Sequence, residues 1–274
     1  MPRCARSSCG RWSPRFLRRD AGITLDGRWF CSLECVEGQA RRRLLDARPP
    51  AAGLPPTGQI RLGVWLRHQA GLTERQVAQV LDAQRHSGLR FGAQVAKLGL
   101  VSEESVLRAL ARQAGVGYLA QLDSSNVINA PAGLSPHAAR ALSLVPFCEP
   151  ENGRVKVACA APLPRMGLAA FRRLTGMTPE PYFVSDEAWE TLVTAYGSAV
   201  EDPTSSRFME TNDLSEAAAT IAAAAAGGSG VNARLTDARF EPYTWVRVEN
   251  DGITHDVLLA SGGVGSCQAL STSH

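Results

Sequence analysis

RLGVWLRHQAGLTERQVAQVLDAQ fills residues 61–84, and RFGAQVAKLGLVSEESVLRALARQ fills residues 90–113. They are one pattern of 24 residues written twice, with five residues, Arg85 to Leu89, between the copies. Arg61, Gly63 and Gln84 recur 29 residues later as Arg90, Gly92 and Gln113. Five further positions are apolar in both copies: Leu62 with Phe91, Leu66 with Val95, Leu72 with Val101, Val77 with Val106 and Leu81 with Leu110. Arg, Gly and Gln are each only several per cent of ordinary composition, so such a match has odds on the order of one in a million per random window. The stretch is an internal duplication.

Each copy predicts a helical hairpin. Leu62 and Leu66 share one face of a short first helix. Gly71 and Gly99 mark breaks. Thr73 and Ser102 are good N-cap residues, and the acids after them, Glu74 and Glu103-Glu104, suit the positive end of a helix. Thr73 to Gln76 has capping-box spacing. Val77, Leu81 and Gln84 then fall on one face of a second helix, as do Val106, Leu110 and Gln113. Arg61 and Arg90 each offer a planar fork able to stack on a base or to grip guanine edges and phosphate. Gly63 and Gly92 would let another group approach the backbone. On the residues alone two readings stand: hairpins that pack on each other or on a partner, or a ligand site with two equivalent halves.

The chain of 274 residues is long enough for two modest domains with small modules, and its 45% hydrophobic content can build their cores. A net charge of +3 argues against a nucleic-acid binder as a whole. No window holds 18 uninterrupted apolar residues, so no membrane insertion is expected. Cys4 and Cys9 stand where a signal peptide needs its apolar core, which gives a cytoplasmic expectation. Seven unevenly spaced cysteines do not form a disulfide framework.

Residues 1–48 predict a zinc-binding module. Cys4-x4-Cys9 precedes an alternating hairpin, Ile23 to Phe30, and Cys31-x3-Cys35 then opens a helical run, Val36 to Leu45. A knuckle, a hairpin and a helix with the second pair at its start make a Cys4 zinc site, closed and therefore structural. The segment Trp29 to Cys35 resembles the second half of small treble-clef zinc modules. The arginines 11, 15, 18, 19 and 41–43 are read first as a solvated basic face. Residues 49–58 are a Pro-rich linker.

Residues 116–197 change pattern and predict an α/β subdomain. Gly117 to Leu119, Leu144 to Phe147, Arg154 to Cys159 and Pro181 to Val184 read as strands. Ser135 to Leu142, Leu168 to Leu174 and Asp186 to Tyr196 read as helices. Cys148 and Cys159 read as buried thiols, and His137 as a helix surface residue. Residues 198–235 read as a polar and Ala/Gly-rich linker, within which Ala217 to Ala226 is either a helix with a flexible end or low-complexity sequence, residues 236–260 as a β-hairpin turning at Asn250-Asp251-Gly252, and residues 261–274 as a disordered tail. The fold class expected is α+β: a Cys4 module, a four-helix tandem-hairpin subdomain over residues 59–115, and a small α/β sandwich.

The doubled motif resembles the cyclic-di-GMP-binding N-terminal (MshEN) domain of type II secretion and type IV pilus assembly ATPases. That family carries R-L-G-x-x-L-V-x-x-G-x-I-x-x-x-x-L-x-x-x-L-x-x-Q twice with a five-residue spacer. The resemblance runs to about Gly197 and includes VPF at 145–147, GRVKVACAAPLP at 153–164 and FRRLTGMTPEPYFVS at 171–185. Arg67, Ala70, Phe91 and Ala96 depart from the pattern. It implies that Arg61, Leu62, Gly63, Leu66, Leu72, Val77, Leu81, Gln84, Arg90, Phe91, Gly92, Val95, Val101, Val106, Leu110 and Gln113 bind cyclic-di-GMP, each hairpin holding one guanine half. It also implies a protein partner in a secretion or pilus machine.

The family's ATPases carry a phosphate loop, G-x-x-x-x-G-K-[ST], and this sequence has none; Gly262 to Ser266 lacks the Lys that would reach the phosphates. No catalytic constellation stands out, so no enzyme is expected. The expected function is a non-catalytic cyclic-di-GMP sensor or adaptor. Its alternatives are an interaction adaptor that keeps the fold without nucleotide, and a zinc-finger nucleic-acid-binding regulator.

Overall fold

The computed structural model of the chain describes residues 3–12, 22–49, 61–121, 134–199, 206–227 and 232–261. Most of the expected Pro-rich linker, residues 50–58, and the expected tail from residue 262 onward lie outside them. The architecture is α+β.

At the N-terminus a hairpin, β1 (Ile23–Leu25) and β2 (Arg28–Phe30), leads into helix α1 (Leu33–Asp46). The duplicated stretch follows as α2 (Leu62–Ala70), α3 (Glu74–Ser87), α4 (Phe91–Lys97) and α5 (Glu103–Ala114). Local chemistry sets these boundaries. Thr73 makes both halves of a capping box with Gln76, and Ser102 accepts from the Ser105 amide. The first helix of copy one stops at Gly71, which is left-handed at φ 67°. Copy two stops two residues earlier in register, with its left-handed glycine at Gly99. The Ala70 departure is thus absorbed by a longer helix. Arg67, the other departure in copy one, pairs with Glu74 at 2.8 Å across the same break.

The two copies are not self-contained hairpins. Helix α2 packs mainly on α5, the long helix of the other copy, whereas α4 packs on both α3 and its own α5. The glycines mark the crossing. A Cβ on Gly63 would meet the Phe91 ring at 3.4 Å, and one on Gly92 would meet Val106 at 2.8 Å and Leu62 at 3.3 Å. Spacing alone predicted a hairpin in each copy, and the choice of long helix that each short helix meets leaves that spacing unchanged. Leu66, Leu72, Val80, Val95, Val101, Val106 and Ala109 are the buried core of this unit.

The α/β unit contains β3 (Gly117–Tyr118), α6 (Pro136–Leu142), β4 (Val145–Pro146), β5 (Arg154–Cys159), α7 (Arg165–Thr175), β6 (Thr178–Phe183) and α8 (Asp186–Ala199). Its sheet runs β3-β6-β5-β4, with β3, β5 and β6 parallel and β4 antiparallel. The apolar run Val155 to Cys159 is buried apart from Lys156, as expected of a covered parallel strand. Cys159 is fully buried, and burial pushes its thiol up to about 12. His137 is exposed on α6 and stacks on Phe208 at 5.0 Å.

Residues 198–235 are not simply a linker. They contain β7 (Ser206–Thr211) and α9 (Leu214–Ala226), which join β8 (Arg234–Phe240), β9 (Tyr243–Asn250) and β10 (Ile253–Ala260). The sheet order is β7-β10-β9-β8, with β7 parallel to β10. The expected turn at residues 250–252 does connect β9 to β10, and β8 adds a third strand to that hairpin. Of the two readings open for Ala217 to Ala226, the helix is the one found, as suits alanine, the strongest helix former. Asp213 caps α9 by accepting from the Ser215 amide, and Ala217, Ala218, Ile221, Ala222, Ala224 and Ala225 are buried. Their small side chains bring the helix close to sheet and neighbour alike.

That neighbour is α1. Leu25, Phe30, Val36, Ala40 and Leu44 from the N-terminus share one hydrophobic core with α9, Leu235, Val246, Val248 and Val257. Leu25 bridges Ala233, the Asp26 amide donates to Ala233 O at 2.8 Å, and Asp26 Oδ1 accepts from the Leu235 amide at 2.8 Å. The N-terminal module and the C-terminal sheet therefore form one composite unit around a shared core, with residues 61–199 lying between them in sequence. On the sheet's other face Arg247 makes a two-pronged pair with Asp256, both bonds 2.8 Å, and Trp245 Nε1 donates to the same carboxylate at 2.9 Å.

Candidate functional site

A groove of about 630 Å³ lies between the duplicated helices and the α/β unit. Seven of the residues expected from the motif line it: Leu62, Arg90, Phe91, Gly92, Val106, Leu110 and Gln113. Arg90 is exposed at the N-cap of α4, and Arg61 holds the same position on α2; neither cap has a side-chain acceptor. A Ser, Thr, Asp or Asn there would stabilise each helix start by about 1 kcal/mol. An arginine forgoes that gain and places a charged fork at the groove mouth.

Leu66, Leu72, Val95 and Val101 are buried in the helical core behind the groove and do not line it. Arg61, Gly63, Val77, Leu81 and Gln84 lie outside its wall. They are the first-copy counterparts in sequence of Arg90, Gly92, Val106, Leu110 and Gln113. Leu62 and Phe91 each sit against the other copy's glycine. The two copies differ because β3 and β6 pack on α5, with no comparable packing on α3. Leu110 is consequently half-buried, whereas Leu81 is 45% exposed. The glycines serve this helix crossing directly, a role that spacing alone did not suggest.

The opposite wall was not anticipated. Ala161, Pro162, Leu163 and Arg165 come from the segment after β5, and Phe183 and Asp186 from the end of β6. Ala93, Ala96, Glu103, Leu107 and Ala114 complete the helical side. A signal for the wall did exist: in open α/β sheets, ligands collect beyond the carboxyl ends of parallel strands. Both segments leave such ends. The groove therefore has an apolar floor, two arginines, and two carboxylates at Glu103 and Asp186. Arginine forks can donate to phosphate or to guanine O6 and N7, and carboxylates can accept from amino groups.

A second site gathers Cys4, Cys9, Cys31 and Cys35, whose sulfurs all lie within 4.8 Å of one another. Cys9 and Cys31 are 3.4 Å apart and Cys31 and Cys35 3.6 Å. Four sulfurs at about 2.3 Å from a zinc ion would be about 3.8 Å apart, so the set is close to the size of a tetrahedral metal site. The loose Cys4-x4-Cys9 spacing is accommodated by a loop closed by an Arg3–Trp12 bridge and a Cys4 amide bond to Arg11 O at 2.8 Å. The crowded thiols do not titrate alike. Burial and bonds to Cys9, Cys35 and Cys4 push Cys31 up to about 12. At Cys35 burial is outweighed by hydrogen bonds from Ser32 and the other thiols, and it falls to about 7. A cation between the four sulfurs would favour their thiolate forms over the thiols. The set fits one metal ion with all four positions taken by protein.

No family model matches the chain. The type IV pilus assembly ATPase PilB of Thermus thermophilus is 28% identical over 134 residues. The match takes in 48% of this chain and only 15% of that protein. Among solved structures, MshE with cdg is 24% identical with a TM-score of 0.43, covering 50% of this chain and 99% of that one. The N-terminal domain of XpsE is 22% identical with a TM-score of 0.38, covering 52% and 97%. About half of this chain is thus similar to part of a pilus assembly ATPase, of whose length it spans only 15%.

Proposed function

We propose that the chain is a non-catalytic sensor or adaptor that binds cyclic-di-GMP across the surface built by residues 61–113. One observation carries this reading: the motif's second copy delivers Arg90, Phe91, Gly92, Val106, Leu110 and Gln113 to one groove, joined there by Leu62 of the first copy. A two-fold dinucleotide suits a duplicated motif. Phe91 and Leu62 would carry the base faces at the centre. Arg90 and Arg61 would hold guanine edges or phosphate on either side, with Gln113 and Gln84 at the two ends. The site is non-catalytic in this reading, because the similarity is to the N-terminal part of the ATPases and the sequence has no phosphate loop. Its output is contact with a protein of a secretion or pilus machine in the cytoplasm. Among the described residues no helix is long and apolar enough to cross a membrane.

We further propose that the four cysteines hold structural zinc. Bound zinc would supply folding energy, on the order of 10 kcal/mol, to a module with little core of its own.

The nucleotide-free adaptor is the second reading, and the exposed Leu81 and Val64 on the first-copy side favour it. Nucleic-acid binding is disfavoured by the state of the basic residues. Arg6, Arg41, Arg42 and Arg43 all bond to groups within the chain, while Arg11 is exposed. Arg15, Arg18 and Arg19 lie outside the described residues.

Losing one charge-assisted contact costs about 1.5–3 kcal/mol. Arg61→Ala and Arg90→Ala should each weaken cyclic-di-GMP binding by about 10- to 150-fold with the fold intact. Unchanged affinity in both variants would remove the reading.

A further inference from the structure

We propose that the nucleotide groove and the cysteine site are coupled through helix α7, so that metal loading and groove occupancy sense one another. This rests on the cyclic-di-GMP and zinc readings above and extends them to regulation. Helix α7 touches both ends of the path. Its first residue, Arg165, lines the groove, as do Ala161, Pro162 and Leu163 just before it. Two turns further on, about 12 Å along the axis, Arg173 Nε donates to the backbone oxygen of Asp237, and Arg173 Nη2 lies 3.7 Å from the Asp237 carboxylate.

Asp237 is the junction. Its side chain is 7% exposed, and its Oδ1 also accepts from Arg43 Nη1 at 2.7 Å. Arg43 lies on α1, which carries Cys35 in its first turn, and its other nitrogen reaches Asp26 at 2.9 Å in the β1–β2 turn. One carboxylate thus ties the helix behind the groove wall to the helix and turn that position the cysteines.

The rod between these ends has little freedom. A Cβ on Gly167 would fall 2.2 Å from the Leu142 carbonyl oxygen, so α7 is pressed against the end of α6. A shift of the segment before Arg165 on ligand binding is therefore passed along the helix rather than absorbed within it. By linkage, whatever factor ligand adds to metal affinity, metal adds to ligand affinity.

Arg173→Met separates coupling from folding. The Arg173 side chain is about half exposed, and Asp237 keeps its partner Arg43. Hydrogen exchange is followed in residues 160–165 of the full chain, zinc-loaded and after mild chelation. Removal of zinc should raise exchange there by about fivefold or more in the wild-type protein, and much less in Arg173→Met. Equal exchange in loaded and stripped wild-type protein overturns the proposal, as does an Arg173→Met response equal to wild type, and so does protein that carries no metal. This arm does not depend on the ligand. In the second arm, 100 μM cyclic-di-GMP should slow zinc transfer to a chromogenic chelator in wild type only. Calorimetric binding without that slowing overturns coupling, whereas no binding with the first arm positive removes the ligand reading alone.

Discussion

Two glycines at equivalent positions should respond to the same substitution in opposite ways. Gly63 and Gly92 each lie second in a short helix, where Gly→Ala ordinarily gains about 0.5–1 kcal/mol. At Gly63 the new methyl has its nearest neighbours at 3.4 Å and 3.7 Å on the Phe91 ring, ordinary contact distances. Gly63→Ala should therefore be neutral or stabilising by up to about 1 kcal/mol. At Gly92 the same methyl lies 2.8 Å from Val106 Cγ1 and 3.3 Å from Leu62 Cδ2, in a buried crossing. Overpacking of this kind costs about 1–3 kcal/mol, which outweighs the helix gain. The two variants should differ by roughly 2 kcal/mol, or about 4–8 °C in Tm. Thermal and urea unfolding of both proteins, with helix content followed by circular dichroism, makes the comparison. Gly92→Ala melting at or above Gly63→Ala would refute the close packing of Gly92 against Val106 of α5 and Leu62 of α2.

Purified protein should carry about one zinc per chain, lost on substitution of Cys4, Cys9, Cys31 or Cys35 and unchanged in Cys148→Ser and Cys159→Ser, as measured by metal analysis. Arg247→Met should destabilise the chain by about 3–5 kcal/mol, because Asp256 is left buried without its cation; a shift below about 1 kcal/mol in denaturant midpoint would contradict that. ATP turnover by the purified chain should stay at background, and activity that follows the protein through successive columns would show a motor that the sequence does not reveal.

Local chemistry was legible in the sequence. The duplicated spacing, the Thr73 and Ser102 caps, the helix from Ser135, the strand from Arg154 and the four cysteines are all carried by residues near one another in the chain. Long-range pairing was not. That α2 sits on α5 rather than on its own α3 depends on contacts about 40 residues apart, and both arrangements leave the same periodicity. Strand β7 has its partner β10 about 48 residues away, so Ser206 to Thr211 carries no nearby hairpin signal. The alanines of α9 fit a helix or a linker by composition, and nothing local reveals that they act as a thin packing layer between α1 and the sheet. Arg165 and Asp186 have no motif of their own, and only the direction of β5 and β6 brings them to the groove.

Calorimetric titration of the folded, zinc-loaded chain with cyclic-di-GMP tests the central claim most directly. The account predicts one ligand per chain at micromolar affinity, about −8 kcal/mol, weakened by Arg90→Ala and by Arg61→Ala. The absence of binding heat at 100 μM ligand, with competition against a labelled analogue also silent, would contradict it and leave the nucleotide-free adaptor.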